Sequence, residues 1–494
     1  MKICQQRGAG VLLPVTALPS PYGIGTLGAA AYRFIDRLKQ AGQTYWQVLP
    51  IGPTGFGNSP YQSYSAFAGN PYLIDLDNLV MQGLLKTEDI SMFDWGRDSS
   101  VVSYDKITEH RRNVLRLAYE NSHHLYSVDY LTFCHEQQDW LEDYALFMAC
   151  KHYFQQKEWM LWDKQVKERN ASSLMNYRIL LKDEIDFWKF CQFEFYRQWH
   201  KMKQYANENG IAIIGDIPIY VAMDSADVWA NSTLFQLDEN KKPIAVAGVP
   251  PDAFSSQGQM WGNPLYNWTE MEKTNYDWWK KRMVCCAALY DKVRIDHFIG
   301  IVRYYTIPAE EKNAVNGTWQ KGPGEKLMNA IHTVLDSEYI IVEDLGVLVD
   351  EVISLRHKMG YPGMKVLQFG FDGNPYNEHL PHNFQNSMVV YSGTHDNETI
   401  IGYFTNHRAE CIRACKYFHV NALEELPEAF MRGLYGSVAD IAILQMQDIL
   451  GLSNTARMNI PSTIGSNWQW RLCQGQFTEE IANKMKQLAH IYGR

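Results

Sequence analysis

The chain has 494 residues, of which 46% are hydrophobic and 20% charged, and its formal net charge is −9. A chain of this size and balance buries a real core rather than staying disordered, and its acidity excludes nucleic acid or an anionic membrane as the main partner, since either favours a basic face. The 15 Trp and 29 Tyr supply rings with an apolar face and a polar edge, which suit core packing and sugar binding alike.

In chain order, Gly10–Val15 is a short apolar run fit for a strand buried on both faces. A Gly- and Pro-rich loop follows, and Leu27, Ala31, Phe34, Ile35 and Leu38 then recur at helical spacing up to Gly42. Tyr45–Pro50 resumes strand character, giving a βαβ unit and hence a parallel pair. Six further runs share the form: Ile211–Ile214, Lys292–Ile295, Tyr339–Val342, Met364–Phe369, Met388–Tyr391 and, most weakly, Arg457–Pro461. Eight parallel strands close a (β/α)8 barrel. We therefore expect an α/β chain forming a single catalytic barrel over residues 1–494. The interval between positions 50 and 211 is several times what a barrel helix needs. It reads as a mainly helical insertion, about 51–205, over the C-terminal face, with helices at 104–122, 133–155 and 185–209. A second insertion spans about 221–279.

Nine cysteines form no paired framework, which favours free thiols and a reducing compartment. Cys411, Cys415 and His419 fall at i, i+4, i+8 on one helix, as a metal site or as plain helix packing. The first residues lack a signal-peptide apolar stretch and no long apolar run exists, so a cytoplasmic location is expected.

Chemistry collects at the strand ends, where barrel active sites are assembled. Arg294 and Asp296 share a strand face. A fixed cation keeps a neighbouring carboxylate ionised, so Asp296 reads as a nucleophile or as half of a structural ion pair. Glu343 follows three apolar residues, and desolvation would raise its pKa as a general acid requires. The competing reading is an acid at a helix N-terminus, a role that Asp344 fits better. The segment Tyr391–Asn397 places His395, Asp396 and Asn397 on one loop, to grip a sugar or to satisfy its own backbone. Retaining glycosidic chemistry needs two carboxyl groups about 5–5.5 Å apart, and neighbouring strands about 4.8 Å apart can supply that separation. Two aromatic loops, Gly55–Tyr64 and Gly248–Tyr266, read as substrate surface or as ordinary loop.

The stretches LLPVTALPSPYGIG, SPYQSYSAFAGNPYLIDL, GDIPIYV, GVPPDAFSSQGQMWGNPLYNW, VRIDHF, VEDLG, PGMKVLQF and GTHDNET closely resemble, nearly end to end, the 4-α-glucanotransferases of glycoside hydrolase family 77 (amylomaltases or disproportionating enzymes). The resemblance implies Asp296 as nucleophile, Glu343 as acid/base and Asp396 as transition-state stabiliser. Arg294, His297 and His395 would line the central sugar site, with Tyr61 and Asp252 close by and Trp261 and Asn263 on the covering loop. It further implies neither cofactor nor metal, retaining transfer of an α-1,4-glucan segment to a 4-hydroxyl, and maltooligosaccharides, starch- or glycogen-type glucans and glucose as partners. Thr26 and Ala253 depart from the usual motif, the first where Asp is frequent and the second where an aromatic is. An α-amylase-type hydrolase would share barrel and acids. However, the stretch after Asp396 leaves no room for a trailing β-sandwich, and the third strand lacks the Asn-His pair usual in amylases. A catalytically silent glucan-binding protein would be expected to lack one of the three acids.

Overall fold

A computed structural model describes residues 7–251, 255–346 and 349–494. Its strands in chain order are β1 (Gly8–Leu12), β2 (Tyr45–Gln47), β3 (Ala212–Pro218), β4 (Ala245–Val249), β5 (Gln259–Pro264) and β6 (Lys292–Asp296). They continue with β7 (Arg303–Pro308), β8 (Thr318–Lys321), β9 (Ile340–Val342), β10 (Gly363–Val366), β11 (Met388–Tyr391) and β12 (Ile441–Gln445). Eight of them form one parallel sheet in the order β10-β11-β12-β1-β2-β3-β6-β9. The ends meet where Val342 N–H donates to the Pro362 carbonyl at 3.2 Å, so the sheet curls into a barrel. Helices cover its outside, and for this reason the strands read as unbroken apolar runs: Ile213, Ile214, Val293, Ile295, Ile340, Val389, Val390, Ala442 and Ile443 are all buried.

One strand expectation is corrected. The eighth strand is Ile441–Gln445, between β11 and β1, and not Arg457–Pro461, which is irregular. A strand buried on both faces has no polar alternation, so IAILQ cannot be told from helix by period, and a helix does run shortly before it (Leu426–Gly436). The 457–461 segment instead crosses the barrel mouth.

The long interval after β2 is helical, including Tyr104–Glu120, Gln138–Tyr153 and the 27-residue helix Lys182–Glu208. The last anchors the insertion to the barrel, with the buried Trp199 indole N–H donating to the Leu289 carbonyl at 2.8 Å. The 221–279 stretch contributes β4 and β5 to a separate antiparallel sheet, in the order β5-β4-β7-β8, whose other two strands follow β6. Among the described residues no helix is long and apolar enough to cross a membrane.

A buried ion pair spans the closing edge of the barrel. Asp344, just past β9, accepts the Met364 N–H of β10 at 2.7 Å and the Arg356 guanidinium at 3.0 Å. It therefore ties two strands together and caps no helix. The guanidinium crosses directly over Gly363, where a Cβ would overlap it and the Asp344 carboxylate, which explains the glycine in PGMKV. Asp344→Ala leaves a buried cation unpaired and is expected to cost about 3–5 kcal/mol, read as an earlier denaturant-unfolding midpoint. An unchanged midpoint would remove the pair from barrel closure.

Candidate functional site

The registers of the parallel strands place the polar ends of β3, β6 and β9 side by side. Asp216 pairs with Arg294 across β3 and β6, and Ile295 with Val342 across β6 and β9. Arg294 is the centre of the resulting cluster, and its side chain is only 4% exposed. One terminal nitrogen, Nη1, donates to both Asp216 oxygens at 2.8 and 2.7 Å. The other, Nη2, lies 2.9 Å from Asp296 Oδ1 and 3.9 Å from Glu343 Oε2. Its Nε reaches the Met364 sulfur at 3.2 Å. Burial opposes the Arg294 charge, but the carboxylates of Asp216, Asp296 and Glu343 outweigh it and push its pKa up. The Asp296 and Glu343 carboxyl groups thus face the same guanidinium nitrogen.

Glu343 is oriented by backbone. The His297 N–H donates to Oε2 at 2.6 Å and the Leu345 N–H to Oε1 at 3.2 Å. Burial, followed by the negative charge of Asp296, pushes its pKa up to about 8, against the pull of Arg294 and the His297 N–H. At neutral pH this acid carries its proton.

The third acid comes from the loop after β11. Asp396 Oδ1 accepts the Asn459 side-chain amide at 2.6 Å, and its Oδ2 lies 3.4 Å from His395 Nε2. The Arg457 guanidinium holds the Asp396 carbonyl at 2.7 Å. The His395 ring stacks on Tyr61, with centroids 4.9 Å apart, and both rings lie against Trp468. The Tyr61 hydroxyl donates to Asp216 at 2.9 Å and lies 3.3 Å from His395 Nδ1, linking the loop acid to the Arg294 cluster.

On the opposite wall His297 adopts a left-handed backbone (φ 55°), which turns its ring edge-on to Trp261, with centroids 4.8 Å apart. Burial lowers the His297 pKa to about 4 despite the Asp296 charge, so the imidazole is neutral. Tyr61, Trp261, Asn263, Asp296, His297, His395 and Asp396 line one groove of about 410 Å³. Asn263 also braces the rim, its oxygen accepting from Gln62 at 3.0 Å and its amide donating to the Val221 carbonyl at 2.8 Å. Asp252 lies outside the described residues.

Sequence reasoning did not include Asp216, Gln62, Asn459 or Trp468 among the site residues. Asp216 was visible as an acid at a strand end; its role as the main partner of Arg294 follows from register. Asn459 and Trp468 carry no local signal, because they arrive from the C-terminal stretch crossing the mouth. Cys411 and Cys415 are free thiols on the helix Arg408–Phe418, and among the described residues no three potential ligands gather as a metal site.

Comparison with known proteins fits this geometry. A family model described as 4-alpha-glucanotransferase matches residues 13–476. The chain is 46% identical to a 4-alpha-glucanotransferase of Clostridium butyricum over 97% of its own length and 99% of that protein's. It is likewise 46% identical to one of Streptococcus pneumoniae, over 99% and 98%. The solved structure of an amylomaltase from Streptococcus agalactiae, in complex with acarbose, superposes with a TM-score of 0.96 at 41% identity, covering 99% of this chain and 100% of that one. With match, barrel and acid cluster in agreement, the chain belongs to the 4-alpha-glucanotransferase family, enzymes that transfer a segment of an α-1,4-glucan to an acceptor glucan.

Proposed function

We propose that transfer proceeds by double displacement, with Asp296 as nucleophile, Glu343 as acid/base and Asp396 as stabiliser of the developing oxocarbenium ion. The observation that carries this reading is the pair of carboxyl groups on Arg294 Nη2, one at 2.9 Å and the other at 3.9 Å with its pKa pushed to about 8. A retaining mechanism needs one acid that is charged and one that holds a proton. In the first half, Glu343 protonates the leaving 4-oxygen while Asp296 attacks the anomeric carbon, forming a glucosyl ester and releasing the reducing-end fragment. In the second, ionised Glu343 takes the proton of an acceptor 4-hydroxyl, whose oxygen displaces Asp296. His395 and Asp396 grip the ring hydroxyls of the sugar in the groove. Neutral His297 offers one further donor or acceptor, and Trp261 gives an apolar face to the neighbouring unit. Maltooligosaccharides and longer starch- or glycogen-type glucans fit as donors, and glucose as the smallest acceptor. Acarbose in the Streptococcus agalactiae relative supports a glucan-shaped groove.

Incubation with maltotriose alone is expected to give a ladder of longer glucans, whereas only glucose and maltose would mean hydrolysis. Asp296→Asn is expected to lower turnover by about 10⁴-fold or more with the fold intact; near-normal turnover would remove Asp296 from the nucleophile role.

Glu343 must be protonated in the free enzyme, and it is so below its pKa of about 8. Hence kcat/KM is expected to hold through neutrality and fall above about pH 8. In Glu343→Gln assayed with a glycosyl fluoride, whose leaving group needs no proton, glucosyl-enzyme formation should recover and the basic limb should vanish. A limb that persists there belongs to another group.

A further inference from the structure

The loop bearing His395 and Asp396 leaves β11 at Ser392 and enters the helix Ile400–Asn406. Both ends of this loop are fastened to one carboxylate. Asp448, in the short helix Met446–Ile449 after β12, is 3% exposed. Its Oδ2 accepts the Ser392 hydroxyl at 2.7 Å and the Gln445 side-chain amide at 3.3 Å, while its Oδ1 accepts the Ile400 backbone N–H at 2.7 Å. Ser392 in turn accepts the Gln445 backbone N–H at 3.1 Å. Inside the loop Asn397 Oδ1 takes the Thr394 N–H at 2.8 Å, and the Asn397 amide donates to Gln368 at 2.9 Å.

Burial raises the Asp448 pKa to about 6, against the three donors, so at neutral pH both oxygens accept. An amide in its place would accept at one end only and turn a donor toward the other. A buried carboxylate is also a poor device for stability alone, because desolvation offsets much of the gain from its partners. What this one does is fix where a loop begins and where it ends. Asp448 does not line the groove.

We propose that Asp448 is a positioning residue of the transfer reaction. By holding Ser392 and Ile400 at a fixed separation, it sets where the Asp396 carboxylate meets the sugar. The inference rests on reading Asp396 as the transition-state stabiliser. A shift of about 1 Å in a positioned group costs about a hundredfold in rate, and such a loss falls on kcat more than on KM, because Asp396 acts most strongly as charge develops.

The test is a double-mutant cycle with Asp448→Asn and Ser392→Ala, each made in the wild-type and Asp396→Asn backgrounds. It is read as kcat and KM with an α-maltosyl fluoride donor, alongside thermal unfolding. The expected result is a loss of about 10- to 100-fold in kcat with KM within about threefold for each single variant of Asp448 or Ser392. In the Asp396→Asn background the further loss should be under about threefold, since the group being positioned is already disabled. Ser392→Ala, the smaller change, keeps the test informative if Asp448→Asn folds poorly. An equal loss in both backgrounds, or no loss in the wild-type background while Asp396→Asn is inactive, overturns the clamp and leaves the reading of Asp396 standing. A fully active Asp396→Asn overturns that reading and, with it, the purpose assigned to the clamp.

Discussion

A guanidinium buried at the mouth of the barrel is the constraint around which the site is organised. Taking Arg294 out of water costs several kcal/mol unless its donors are satisfied, and here both terminal nitrogens and Nε have partners. The cluster then holds one cation and three acids, an excess of negative charge that a buried site does not tolerate. A proton on Glu343 relieves it. Coulomb attraction weakens with distance, and Glu343 lies 3.9 Å from the guanidinium nitrogen that Asp296 approaches to 2.9 Å. Its backbone donors do not make up the difference against burial. The raised pKa of Glu343 therefore comes from burial first and the neighbouring Asp296 charge second, with the cation too far away to offset them.

That cation is held in place from behind. Asp216 grips one terminal nitrogen with both oxygens and leaves the other to face Asp296 and Glu343. Tyr61 joins Asp216 to the stacked His395, so the loop after β11 is fastened to the end of β3. The barrel supplies this rigidity: its strands are buried, in register, and closed by the Asp344–Arg356 pair between β9 and β10. The inserted segments then raise walls around the mouth, with Trp261 and Asn263 carried on β5 of the antiparallel sheet rather than on a barrel strand.

Much of this was legible in the chain. The strand ends at Asp296 and Glu343 stood out because buried parallel strands are unbroken apolar runs, so a charged residue at their end marks the C-terminal face. The loop of His395 and Asp396 stood out for the same reason. The eighth strand did not, because IAILQ has no polar alternation to distinguish it from helix. The segment mistaken for it, Arg457–Pro461, proves to be a brace on Asp396. Asp344 was misread as a helix-end acid because its partners, Arg356 and the Met364 N–H, lie beyond the reach of a local pattern.

The sequence by itself determined seven of the eight barrel strands, that they are parallel and covered on both faces, and the acids Asp296 and Glu343 at their ends, since these follow from period, hydrophobicity and chain direction. Only the tertiary structure decided which acid is protonated, which residues hold the others, and where the C-terminal stretch lies. Those depend on distances of a few ångströms between side chains far apart in the chain, and on a local dielectric that exists only once the barrel has closed.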